Sequence, residues 1–282
     1  MTAAHRLKLL AIVLAVILSL RMCAQYVSKK MEVIEKESMM ELVSVWYQLE
    51  YQTESSDRKY GGVGIVIAEN RVLTSARAIG WVSRVGTWDF IGDKLIRFPG
   101  SIYDPDFKPV RWFVEAGSGE FNAYPILLMP KGYDIAVLHV EGLRAWHYPR
   151  IVDDRLKEGD FVRVLRISFV PRRNGKVRNE YVDIAKIVDS EVKYTRQFRY
   201  GWNRVKVPVK LALAEDPCES VFLAPSIPSG APVFNDDGLC GIVLESWVHE
   251  EENKRGLVYT WIEPLNEVKR EIETTLTRKW KE

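Results

Sequence analysis

The sequence predicts an all-β domain of barrels or sandwiches, closed by one amphipathic helix. Three observations carry this. Short apolar stretches recur at regular spacing from Val43 to Ile262, separated by turn-forming residues. Val43, Val45, Tyr47, Leu49 and Tyr51 alternate with Ser44, Trp46, Gln48 and Glu50, the period of two that gives a strand one buried face. Within the body, helical spacing returns only after Pro264, where Leu265, Val268, Ile272 and Leu276 repeat on one face.

Taken in order, the chain opens on an export or anchor signal over residues 1–28. Arg6 and Lys8 precede the apolar run Leu9 to Leu20, and Arg21 closes it. The run is short for a bilayer span, which needs ~20 residues, and suits the apolar region of a signal peptide. Met22 spoils the cleavage context, so an uncleaved signal anchor is expected, with the body on the extracytoplasmic side. Secretion after cleavage is the alternative. Residues 29–41 read as a linker helix, with Glu32 and Lys36 four apart.

Strands are then expected at Val43 to Tyr51, Gly61 to Ala68, Arg71 to Ala76, Phe121 to Leu128 and Ile135 to Val140, within a first β-region at 42–150. A second, at 151–263, holds Phe161 to Val170, Tyr181 to Asp189, Val205 to Leu213, Val221 to Ala224, Val233 to Phe234, Leu239 to Leu244 and Leu257 to Ile262. The closing helix occupies 264–282.

Charge excludes little but points away from nucleic acid. Residues 1–30 hold five of the 40 Lys and Arg and no acid, leaving 35 bases against 38 acids in a body near neutrality. Cys23, Cys218 and Cys240 match no metal spacing. In an exported body Cys218 and Cys240 either pair or stay as two buried thiols. No metal or cofactor is expected.

The stretch Pro228-Ser229-Gly230-Ala231-Pro232 reads as a stiff turn with one hydroxyl at its crown, feeding a hairpin through Asn235-Asp236-Asp237-Gly238. Such a turn presents a nucleophile or is simply a turn; other motifs decide. Gly62-Val63-Gly64-Ile65-Val66-Ile67 with Val72-Leu73-Thr74-Ser75-Ala76-Arg77-Ala78 resembles the opening of a trypsin-like serine protease of the HtrA (DegP-like) type. Tyr133 to Leu138 resembles that family's Asp-Leu-Ala-Val-Leu strand. Leu156 to Val162 resembles its Gly-Asp-x-Val segment, Ser229 to Pro232 its Ser-Gly-Gly-Pro, and Gly256 to Pro264 the strand before its closing helix. The likeness runs over about residues 42 to 275. It implies two six-stranded antiparallel β-barrels with the site in the cleft between them.

The resemblance also implies site roles. Ser229 falls at the nucleophile, Asp134 at the orienting acid, Ile227 and Ser229 at the oxyanion-hole N–H groups, and Leu223 at the floor of the specificity pocket. The base position holds Arg77. A serine needs a neutral imidazole to take its proton. A guanidinium stays protonated and has no lone pair to accept one. The four histidines do not substitute: His5 precedes the anchor, His139 points to the opposite face from Asp134, His147 lies in a linker and His249 in a charged loop. Pro228 pushes Ile227 toward extended backbone, against the loop shape an oxyanion hole needs. Arg77 is expected to pair with Asp134, by two hydrogen bonds if the fork is aligned.

A further patch mixes aromatic and basic residues: Arg172, Arg173, Lys176 and Arg178, then Tyr194, Arg196, Phe198, Arg199, Tyr200, Trp202, Arg204 and Lys206. Such mixtures can bind single strands, but two exposed hairpins with half-buried aromatics account for it, and anionic lipid or protein fits an exported face better. The favoured expectation is a membrane-anchored trypsin-fold pseudoprotease that binds peptide or protein. The alternatives are an active endopeptidase that uses Ser229 with an unconventional base, and a tethered oligomeric scaffold.

Overall fold

Valines in the strands Leu42–Leu49 and Lys59–Ala68, and three glycines in the second of them, shape the architecture seen in the computed structural model. The structure describes residues 40–49, 58–81, 87–91, 94–98, 102–103, 109–172, 175–200, 203–218, 227–250 and 256–278. The expected anchor, nearly all of the linker helix and the strand at 221–224 lie outside them. Among the described residues no helix is long and apolar enough to cross a membrane.

The first lobe is a closed six-stranded barrel. It is built from β1 (Leu42–Leu49), β2 (Lys59–Ala68), β3 (Arg71–Thr74), β7 (Pro109–Ala116), β8 (Gly119–Leu128) and β9 (Ala136–His139), in the order β1-β2-β3-β9-β8-β7. Every pairing in it is antiparallel. Between β2/β3 and β7, a separate two-stranded sheet joins β4 (Thr87–Ile91) to β5 (Lys94–Phe98). β4, β5 and β7 extend the sequence reading, which placed no strand between Ala76 and Phe121. Inward residues fill the barrel: Val43, Val45, Val66, Val72, Val114 and Leu138 are buried. β-branched side chains suit this pleated, enclosed surface.

The second lobe is a ring: β10 (Phe161–Arg172), β13 (Pro232–Phe234), β14 (Leu239–Glu250), β15 (Gly256–Pro264), β12 (Asn203–Cys218) and β11 (Gly175–Tyr200), closed by β10–β11 pairing. β6 (Ile102–Tyr103), from the first half of the chain, adds parallel to β11 outside the ring. The expected six strands are present, but β11 and β12 run far beyond their expected ends. Trp261 fills the middle of this lobe at 0 % exposure, tilted against Trp247. After β15, a single 3-10 turn at Leu265–Glu267 leads into α1 (Lys269–Thr277). Leu265, Val268 and Ile272 are fully buried, the face that the apolar spacing predicts.

Two glycines let β2 approach other backbone closely, Gly61 that of Ala78 within the first lobe and Gly62 that of the second lobe. A Cβ on Gly61 would stand 1.6 Å from the Ala78 carbonyl oxygen, and one on Gly62 would stand 2.0 Å from that of Ser229. No side chain fits there. Gly61 is also the unpaired residue of a bulge, since Val45 pairs with Gly62 and Trp46 with Tyr60.

Candidate functional site

Three turns meet where β2 touches the second lobe. The first follows β3: Ala78 N–H donates to Ser75 O at 3.1 Å, Gly80 N–H to Arg77 O at 3.0 Å and Trp81 N–H to Ala76 O at 3.0 Å. This coil of backbone holds Arg77 at 2 % exposure. The second precedes β9. Met129 and Lys131 take positive φ, 44° and 50°, and Gly132 takes 85°. Ile135 N–H then donates to Tyr133 O at 2.8 Å, a three-residue turn with Asp134 at its centre. Asp134 is fully buried. The third turn carries Ser229: Ala231 N–H donates to Pro228 O at 3.3 Å and Gly230 has φ 86°. A left-handed third residue is what a type II turn requires. A Cβ on Gly230 would also lie 2.1 Å from Val63 O. Val63 N–H donates to Ser229 O at 2.9 Å, tying this turn to β2.

Arg77 joins the two lobes by charge. Its Nε donates to Asp134 Oδ2 at 2.8 Å and its Nη1 to Glu245 Oε2, on β14, at 2.9 Å. The expected Arg–Asp pair is present, but its second bond differs from an aligned fork: the backbone N–H of Arg77 takes Asp134 Oδ1 at 3.0 Å. Splitting the guanidinium between two carboxylates spreads one cation over both sides of the cleft.

Among the described residues the Ser229 hydroxyl faces no base. It donates to Leu244 O at 2.9 Å and lies 2.7 Å from Ser75 Oγ. No nitrogen is among its partners in the described residues. His139, on β9, instead stands against Arg71, its register partner on β3. The guanidinium has no lone pair, so the imidazole accepts through Nδ1. His147 is exposed. His5 and the side chains of His249 and Leu223 lie outside the described residues. The Ile227 N–H, expected at an oxyanion hole, donates to Ser246 Oγ at 2.9 Å.

A second ion pair, hidden from sequence reasoning, lies beneath Asp134. Arg196 on β11 and Glu263 on β15 are both fully buried and bonded to each other, and Arg196 Nη1 also donates to Gly132 O. This corrects the reading of Arg196 as part of an exposed basic and aromatic face. Burial pushes the Glu263 carboxyl above the usual carboxylate range; Arg196 opposes this and the charge of Asp134 adds to it. The only clue in the sequence is Glu263, a lone acid after an apolar strand.

Cys240 is a free thiol, 1 % exposed, with its Sγ 3.3 Å from Val233 O. Burial pushes its pKa up to about 12. Since only the thiolate reacts, iodoacetamide at mildly alkaline pH is expected to spare Cys240 in the folded protein and to modify it after denaturation. Mass-spectrometric mapping checks this, and rapid native modification would contradict it. Among the described residues no group of three His, Cys, Asp or Glu is placed to hold a metal ion. A depression along α1, lined by Leu127, Arg270, Glu271, Thr274, Thr275 and Arg278, shares no residue with the Ser229 cluster.

No family model matches the chain, and no curated protein does. Among solved structures it is similar to the active form of the Rv3671c protease from M. tuberculosis, with 16% sequence identity and a TM-score of 0.53 over 89% of this chain and 86% of that one. The apo MamO protease domain from Magnetospirillum magneticum aligns at 13% identity with a TM-score of 0.45, over 84% of this chain and 96% of that one. At such identity the likeness to the first shows the fold: that of a trypsin-like serine protease.

Proposed function

We propose that this protease-fold chain is a pseudoprotease: it binds a peptide or protein in or near the cleft and does not cut it. One observation carries the reading. Arg77, at the position where the resemblance places the base, is buried and engaged with Asp134 and Glu245. A cation held this way serves the packing of two lobes and offers no acceptor for a hydroxyl proton. Support for binding comes from the surface, where Trp146 is 97 % exposed with Tyr148 close by in the linker between the lobes. Exposed aromatics of this kind anchor protein contacts. The run Leu9 to Leu20, flanked by Lys8 and Arg21, would tether the β-lobes at a membrane on its extracytoplasmic side.

The test is a peptide library incubated with the purified full chain and with Ser229→Ala, followed by mass spectrometry. The same uncleaved set is expected from both, with some peptides retained by the protein. Cleavage products that depend on Ser229 would overturn the proposal.

A further inference from the structure

We infer that Ser246 and Ser75 are positioning residues that keep the Ser229 turn closed to acyl chemistry, an inference that rests on the reading of Ser229 as the nucleophile position. An attacking serine needs a free lone pair, and the carbonyl it attacks needs free N–H groups about 3 Å from the developing oxyanion. The turn offers few. Ile227 N–H is taken by Ser246 Oγ at 2.9 Å. Pro228 has no N–H. Gly230 N–H donates to Val243 O at 2.8 Å and Ala231 N–H to Pro228 O at 3.3 Å.

Ser246 closes Ile227 completely. Its hydroxyl accepts the Ile227 N–H and returns its own proton to Ile227 O at 2.9 Å. One side chain on β14 therefore satisfies both backbone groups of a residue beside the turn, and one of the two N–H groups that would meet an oxyanion is already bonded.

Ser75 restrains the hydroxyl itself. Ser229 has one proton, and it goes to Leu244 O. The 2.7 Å contact between the two hydroxyls therefore runs from Ser75 to Ser229. Ser75 also accepts the N–H of Ala78 at 3.1 Å, which fixes its orientation. One of the two lone pairs of Ser229 is thus occupied, and the hydroxyl held in place, by a donor from the other lobe. Neither lock passes through Arg77, so restoring an imidazole at that position leaves both in place.

The experiment follows fluorophosphonate labelling of the full-length protein near neutral pH. It compares wild type, Arg77→His, the triple variant Arg77→His/Ser75→Ala/Ser246→Ala, and the triple variant carrying Ser229→Ala as control. The triple variant is expected to label at Ser229 at least ~10-fold faster than Arg77→His alone, a modest share of what one oxyanion donor supplies. Equal rates in the two, or no labelling of the folded triple variant, overturns the inference while leaving the pseudoprotease reading intact. Labelling of wild type overturns both. A second measurement covers poor folding of the triple variant: in Ser246→Ala alone, hydrogen exchange at the Ile227 amide is expected to quicken ~10-fold, and unchanged protection overturns the role of Ser246.

Discussion

Arg77→Met is expected to destabilise the protein by about 3–5 kcal/mol, the cost of leaving a buried charge without its partner. Arg77 is 2 % exposed and Asp134 is fully buried. Without the guanidinium, Asp134 retains the backbone N–H of residue 77, at 3.0 Å in the intact protein, but loses the cation bonded directly to its carboxylate. Glu245 loses its 2.9 Å contact at the same time. A chain of this size loses roughly 2–4 °C of melting temperature per kcal/mol, so a fall of ~10 °C is expected in thermal unfolding followed by circular dichroism. Arg144→Met is the contrast. Its pair with Glu69 has side chains 76 % and 56 % exposed, and such surface pairs contribute about 0–1 kcal/mol. Adding Asp134→Asn to Arg77→Met should recover part of the loss, because it removes the stranded charge. A melting temperature for Arg77→Met within a degree of wild type would contradict the structural role of this cation.

Much of the site is legible in the residues because it lies on local turns. Gly230 in a left-handed turn, the apolar strands β2 and β3, and Asp134 at the head of β9 all follow from short-range signals. So does the Arg77–Asp134 pair, since a buried carboxylate requires a partner. The remainder depends on contacts across long separations. Glu245 lies just past the expected strand Leu239 to Leu244 and carries no signal of its own; only the packing of the lobes brings Arg77 to it. Arg196 has aromatic and basic neighbours in sequence, which suggest a surface, yet the ring closed by β10–β11 pairing buries it opposite Glu263. Ser75 and Ser246 carry no signal at all, because serine is common on strands and turns and its partner is set by geometry alone. β7 is different: Val110, Trp112, Val114 and Ala116 alternate with Arg111 and Glu115, and Pro109 at its start and apolar Phe113 in its middle obscure the pattern.

The second large effect is on rate. Loss of one member of a serine triad costs orders of magnitude, with only about 10³–10⁴-fold over water remaining from binding and the oxyanion hole. Here, among the described residues, the closest hydrogen-bond partner of the Ser229 hydroxyl is another hydroxyl, at 2.7 Å, and the proton of Ser229 is directed at the Leu244 carbonyl. A carbonyl oxygen does not take a proton near neutrality, so on the proposed reading no acceptor among the described residues is placed to generate the alkoxide. Stopped-flow reaction with an activated ester, compared with Ser229→Ala, measures this most directly, because an acyl-enzyme appears as a burst of leaving group. The account predicts no burst and identical slow traces for the two proteins. A burst equal to the protein concentration and lost in Ser229→Ala would contradict it.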